Sequence, residues 1–149
     1  GQYYLYEDAL NSQEWNIESD SMKVVLGHEC QKATCSFRGR KWTAWFALDV
    51  PVSDGPLKFC GLPGLIMEVY DRGKQYYFCI NGMQQVSATP ITFGILDKDF
   101  KHFQKTDRKD FLLSKYRYLR NQNSINEAST GISLGSVDEA LKYDLIERE

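Results

Sequence analysis

From Lys41 onward the chain alternates: Trp42, Ala44, Phe46, Leu48 and Val50 fall on one face, Lys41, Thr43 and Asp49 on the other. That period of two predicts a strand with one buried face, and it is the clearest strand signal in the sequence. Trp45 and Ala47 interrupt the polar side, which predicts a second face that is only partly wet. Met22, Val24, Leu26 and His28 make another alternating run, and Ala33, Cys35 and Phe37 a third. Leu65 to Tyr70 and Gln75 to Ile80 flank Asp71-Arg72-Gly73-Lys74, a short Gly-containing connection that predicts a hairpin. Asn81-Gly82 marks a further turn, with Gln84 to Ser87 as a returning strand. Strands this close in sequence leave no room for crossover helices, so the sheet is expected to be mainly antiparallel.

Pro51, the Ser53-Asp54-Gly55-Pro56 cluster and Pro63-Gly64 interrupt this pattern. Between them lies an apolar loop, Leu57 to Leu62, expected to be covered because an exposed apolar loop is costly. After Pro90 the period changes: Phe100, Phe103, Phe111, Leu112, Tyr116 and Leu119 approach helical spacing. Thr106 or Asp107 offers an N-cap for a helix over Arg108 to Leu119. Asn121 to Gly135 reads as a polar loop, and Ser136-Val137-Asp138-Glu139 as a capping box opening a second short helix. The expected fold is mainly β (α+β): a curved antiparallel sheet or partial barrel with one or two C-terminal helices. It is expected as a single domain over 1–149, β-rich over 14–95 and helical or looped over 96–149. The opening Gly1-Gln2, without Met or signal peptide, reads as a processed or truncated end.

Composition narrows the partners. Lys+Arg number 18 against 20 Asp+Glu, a net charge of −2, so no basic excess exists to grip a phosphate backbone. The stretch Asp97 to Arg120 is locally basic, with eight Lys+Arg against four acids, but the following Asn121 to Glu149 reverses it with six acids against two bases. A solvated, salt-bridged face is the reading, and nucleic acid is not an expected partner. No apolar run approaches the roughly 20 residues of a membrane span, so no membrane span is expected.

Four cysteines, Cys30, Cys35, Cys60 and Cys79, are candidates for two disulfides in an oxidising compartment, with three pairings open. Four residues separate Cys30 from Cys35, but the other two stand alone, so the two close pairs of a zinc site are missing and no metal is expected. His28 shares a strand face with Cys30, which leaves a thiol-dependent enzyme or a hydrolase with an unrecognised carboxylate site as an alternative. Asp49, Asp54, Glu68 and Asp71 lie near turns, where capping explains them. G-x-S-x-G, G-x-G-x-x-G and Walker patterns are absent, and no cofactor is expected. Three Trp and nine Tyr in a mainly β chain suit a core, or a sheet that shelters an apolar or sugar-like ligand.

One stretch resembles a known family. Gly27-His28-Glu29-Cys30-Gln31-Lys32-Ala33 precedes Phe37-Arg38-Gly39-Arg40-Lys41-Trp42-Thr43-Ala44-Trp45-Phe46, followed by Val50-Pro51, Gly55-Pro56, Lys58-Phe59 and Gly61-Leu62-Pro63-Gly64-Leu65-Ile66. In this order the elements resemble the GLPGLI family, secreted or cell-envelope proteins of Bacteroidetes, over roughly Trp15 to Asp71. The resemblance implies export to the periplasm or cell envelope, with no assigned activity. It also implies a bowl-like sheet similar to the N-terminal domain of a bacterial glycan amidase. The chain is shorter than such proteins, which implies a sheet edge near residue 1 that is either unpaired or completed by an additional chain. The resulting expectation is a non-enzymatic binding or accessory module that holds an envelope protein partner or an apolar ligand. Arg38 and Arg40 are the candidates for clamping an acidic group. Trp42, Trp45, Phe46, Leu62 and Pro63 are candidates for the apolar contact, and the hexapeptide also reads as a structural corner.

Overall fold

The computed structural model describes residues 3–90, 103–131 and 146–147. In chain order the strands are β1 (Tyr3–Leu5), β2 (Asn16–Val25), β3 (His28–Phe37), β4 (Arg40–Ala47), β5 (Ile66–Asp71), β6 (Tyr77–Cys79) and β7 (Phe103–Lys105), followed by helix α1 (Arg108–Thr130). The chain groups into two compact units, one over 9–88 with 146–149 and one over 1–8 with 89–145.

The larger unit is a five-stranded antiparallel sheet in the order β2-β3-β4-β5-β6. It is open: β2 and β6 end the sheet and do not pair with each other, so it does not close into a barrel. Two-residue turns build its first half. Leu26 and Gly27 have φ of 49° and 83°, and Arg38 and Gly39 have φ of 50° and 72°. Two successive left-handed residues match the twist of the flanking strands and lock the register on each side. The first turn divides the alternating run Met22–His28, which the pattern alone presents as one strand; Leu26 sits at the tip, half exposed.

That register places Ala33 opposite Ala44 and Cys35 opposite Trp42. On β5, Val69 lies opposite Ala44 and Ile66 opposite Phe46, after a bulge at Met67. These side chains form the main core, closed from above by Phe59 and Leu62 of the apolar loop. Burying each large member stabilises the unit by about 1.5–3 kcal/mol. The loop is held from both sides. Gln13 Nε2 donates to Lys58 O at 2.9 Å and Trp15 Nε1 to Cys60 O at 2.8 Å, while Ile66 N–H donates to Asp54 O at 2.9 Å. The expected cover over Leu57–Leu62 is therefore mutual: the loop is itself the lid of the core.

The hexapeptide is a corner in which each residue has a separate place. Leu62 and Ile66 enter the main core, and Leu65 joins a smaller cluster around Cys30, Ala47 and Met67. Pro63 is exposed. Gly64 passes so close to β4 that a Cβ would stand 1.9 Å from Ala47 O, so no side chain fits. The expected hairpin across Asp71–Lys74 is present as β5 and β6. Gln84–Ser87, expected as a strand, is exposed and irregular.

In the smaller unit β1 and β7 pair in parallel, Tyr3 opposite Phe103 and Leu5 opposite Lys105. Asp107 caps α1, accepting the Asp110 N–H at 2.9 Å, and this bond lowers its carboxyl pKa. Phe111 packs its ring 5.2 Å from that of Tyr6. The helix runs on to Thr130, through residues expected to be loop. No Gly or Pro interrupts Arg108–Thr130, and once nucleated a helix passes polar residues at about 0.5 kcal/mol each. It ends at Gly131, whose φ of 68° suits a C-cap. The capping box at Ser136–Glu139 lies outside the described residues. Among the described residues no helix is long and apolar enough to cross a membrane.

Candidate functional site

Where the apolar loop lies over the sheet, a groove of about 380 Å³ remains, lined by Phe37, Arg38, Trp42, Leu57, Lys58 and Phe59. Ile146 and Glu147, which return to this unit from the far end of the chain, line its remaining side. Phe59 is the hub of the aromatic wall. Its ring lies 4.6 Å from Trp42, edge to face, and 6.3 Å from both Phe37 and Trp15. Trp42 Nε1 donates to Phe37 O at 3.1 Å, which fixes the indole.

Beneath this wall sits a buried ion pair. Arg40 donates through Nη1 to Asp71 Oδ2 at 2.8 Å and to Gln75 Oε1 at 3.0 Å, and its guanidinium lies 4.7 Å from the Tyr76 ring. Both side chains are at most 5% exposed. Asp71 Oδ1 also accepts the Tyr76 N–H at 3.0 Å. The turn aspartate is thus both an Asx-type cap and the counter-ion of Arg40. One donor of Arg40 is directed elsewhere: Nε donates to Ile146 O at 3.1 Å. Above it, Lys58 Nζ meets Glu147 Oε1 at 2.6 Å.

The sequence candidates divide between this groove and other places. Arg38 and Trp42 line it, Arg40 reaches it only through the Ile146 carbonyl, and Phe46 and Leu62 are fully buried supports behind it. Pro63 is exposed on the corner. Trp45 lies on the opposite face of the sheet, because its position on β4 differs by an odd number from Trp42.

That opposite face is charged. One rung crosses all five strands: Glu18, Lys32, Trp45, Glu68 and Cys79. Lys32 Nζ pairs with Glu18 Oε2 at 2.9 Å. Lys23 lies over the Trp45 ring, 4.7 Å from its centroid, and pairs with the buried Glu68. Tyr70 and Tyr77 stack at 6.0 Å. The Tyr77 phenol is pushed up to about 12 by desolvation, with the Cys79 bond and the Glu68 charge acting in the same direction, although half the residue faces water. Sequence reading assigns Glu68 to capping near a turn and does not single out Tyr77; nothing local shows that Lys23 reaches across the sheet to Glu68. A more open depression of about 500 Å³ follows β6, between residues 54–56 and 77–80. Its one charged lining residue, Asp54, is exposed, so no buried charge fixes a ligand there.

All four cysteines are free thiols, and no two of them stand within disulfide distance. Five positions separate Cys30 from Cys35 along β3, and an odd separation points them to opposite faces. Burial raises both thiols, Cys35 to about 12. Cys30 donates to His28 O at 3.5 Å, while the His28 ring bonds Asp49 Oδ2 at 2.7 Å. A buried thiol held protonated, with its neighbouring imidazole engaged elsewhere, is the reverse of an activated nucleophile. Among the described residues no three His, Cys, Asp or Glu side chains converge to hold a metal.

A family model described as a protein of unknown function (Porph_ging) matches residues 38–68, from the β3–β4 turn through the hexapeptide to Glu68. No curated protein sequence matches the chain. Two crystal structures of PNGF-II, in space groups P21 and C2, are similar at 18% and 19% identity, with TM-scores of 0.40 and 0.39. They cover 67% and 66% of this chain, which spans only 17% of the PNGF-II chain.

Proposed function

We propose that the chain is a non-enzymatic binding module of the cell envelope, exported, and similar to GLPGLI proteins. It holds an apolar group of a partner or ligand in the groove between the sheet and the Leu57–Leu62 loop. The groove carries this reading: an aromatic wall of Phe37, Trp42 and Phe59 faces an open apolar space with Arg38 and Lys58 at its border. An apolar surface edged by cations suits a ligand that joins a hydrophobic body to a carboxylate or similar anion. Export is supported by the family resemblance alone, since the free thiols remove the argument from cysteine pairing.

An anionic apolar dye, anilinonaphthalene sulfonate, tests the site directly. The full chain is expected to bind one equivalent saturably, quenching Trp42 emission. Leu57→Asp changes an exposed residue at the groove and is expected to weaken the dye at least 5-fold. Absence of saturable binding, or binding indifferent to Leu57→Asp, would sink the proposal.

A further inference from the structure

One wall of the groove is itself a piece of chain, and the way that piece is held has the form of peptide recognition. Three different kinds of contact meet two consecutive residues. The Ile146 side chain packs against the main core, its carbonyl accepts from Arg40 Nε at 3.1 Å, and the Glu147 carboxylate pairs with Lys58 at 2.6 Å. The Arg40 side chain is only 2% exposed and is fixed by Asp71 and Gln75, so its Nε is a preset donor for a main-chain carbonyl. Phe59 and Leu62 of the loop close the sheet core, and Ile146 packs against it partly buried. Residues 146–149 belong to this unit although the chain just before them, through Leu145, groups with the other. They therefore enter as an added element on a long connection from residue 88.

Resting on the binding role proposed above, we infer that the groove recognises an extended peptide carrying an aliphatic residue followed by an acidic one. The chain's own Ile146-Glu147 occupies that site in cis. The aliphatic side chain supplies the anchor, Arg40 reads the backbone without regard to sequence, and Lys58 selects the acid. Tethered in the same molecule, the cis segment competes at an effective concentration on the order of millimolar, so a partner's segment binds only where it outcompetes this occupant.

The experiment uses the full chain and a fluorescein-labelled peptide of the sequence Asp-Leu-Ile-Glu-Arg-Glu, read by fluorescence polarisation. Ile146→Ser removes the cis anchor and is expected to bind the peptide saturably, at least 10-fold more tightly than the unaltered chain. Replacing the peptide's Ile by Asp is expected to abolish binding. The doubly charge-swapped chain, Lys58→Glu with Glu147→Lys, keeps the ion pair with its sign reversed and keeps the cis anchor, so it tests the inference even if Ile146→Ser does not fold. It is expected to prefer a peptide with Lys in the second position over the original by about 10-fold. A folded Ile146→Ser chain without saturable peptide binding, or a charge-swapped chain without preference, overturns the inference. If the dye still binds saturably in that case, the groove stands as a ligand site and only its peptide specificity is lost; if neither binds, both proposals fall. Light scattering of the unaltered chain, which keeps the Ile146 anchor, separates sources: a monomer supports a foreign partner segment, whereas dimerisation that Ile146→Ser abolishes identifies a second copy as the partner.

Discussion

On one face of the five-stranded sheet Ala33, Cys35, Trp42, Ala44, Phe46 and Val69 are sealed beneath Phe59 and Leu62. One residue further along each strand, Lys32, Trp45, Glu68 and Tyr70 look the other way, and all but Glu68 stay partly in water. The same backbone thus carries two kinds of order. The sealed face gains its stability from apolar area, and its buried ion pair, Arg40–Asp71, is almost wholly removed from solvent. The other face arranges long charged side chains over aromatic rings, where water weakens each ion pair and aromatic contact supplies part of the order. A charge's energetic weight here follows its burial, which the face it occupies sets for every charge named but Glu68.

Five measurements test that contrast. Asp71→Ala strands the Arg40 charge in the core and is expected to cost about 3–5 kcal/mol in urea unfolding. Close behind, Gly64→Ala forces a methyl group onto Ala47 O and is expected to cost about 3 kcal/mol by the same measurement. The sealed face also predicts a pH response. Burial raises the Cys35 thiol from 9.0 to about 12, so between those values the unfolded chain has lost a proton that the folded chain keeps. Cys35 stabilisation is complete below about pH 9 and falls as pH rises towards 12, by about 1.4 kcal/mol per unit at the steepest. Cys35→Ala is expected to flatten the decline of denaturation midpoint over that window; an unchanged decline would place Cys35 in contact with water. On the charged face the effects shrink. Lys23→Ala leaves Glu68 without its partner and is expected to cost about 1–2 kcal/mol. Lys32→Ala, at a half-exposed pair, is expected to cost about 0.5 kcal/mol and to lose even that in high salt. A Lys32 effect as large as that of Asp71 would erase the contrast between the faces.

Much of this architecture is legible from the residues. Trp42, Ala44 and Phe46 announce a strand and its buried side, Asp71–Lys74 announces a hairpin, and Asp107 announces a helix start. The hexapeptide reads correctly as a corner. What the sequence hides is distance. Arg40 finds Asp71 after 31 residues and Ile146 after 106, and no local pattern links them. Lys23 and Glu68 are hidden in the same way, 45 residues apart. Leu26 misleads for a different reason: as an apolar residue in register it extends the alternation, and only the following Gly27 hints at a turn. The helix past Leu119 was masked by composition, since Asn and Ser favour loops without forbidding a helix that is already nucleated. The groove candidates were half legible, because alternation says which residues share a face but not which of them a distant segment will cover.

The odd spacing of Cys30 and Cys35 also equips the sheet with its own pair of reporters. Each thiol is shielded on a different side of one strand, while Cys79 is exposed and reacts at once. A thiol reagent applied to the native protein therefore times two events separately: Cys35 is modified when the loop lifts from the core, and Cys30 when the smaller cluster on the far side parts. The ratio of the two rates tells whether the sheet sheds one layer before the other or surrenders both together.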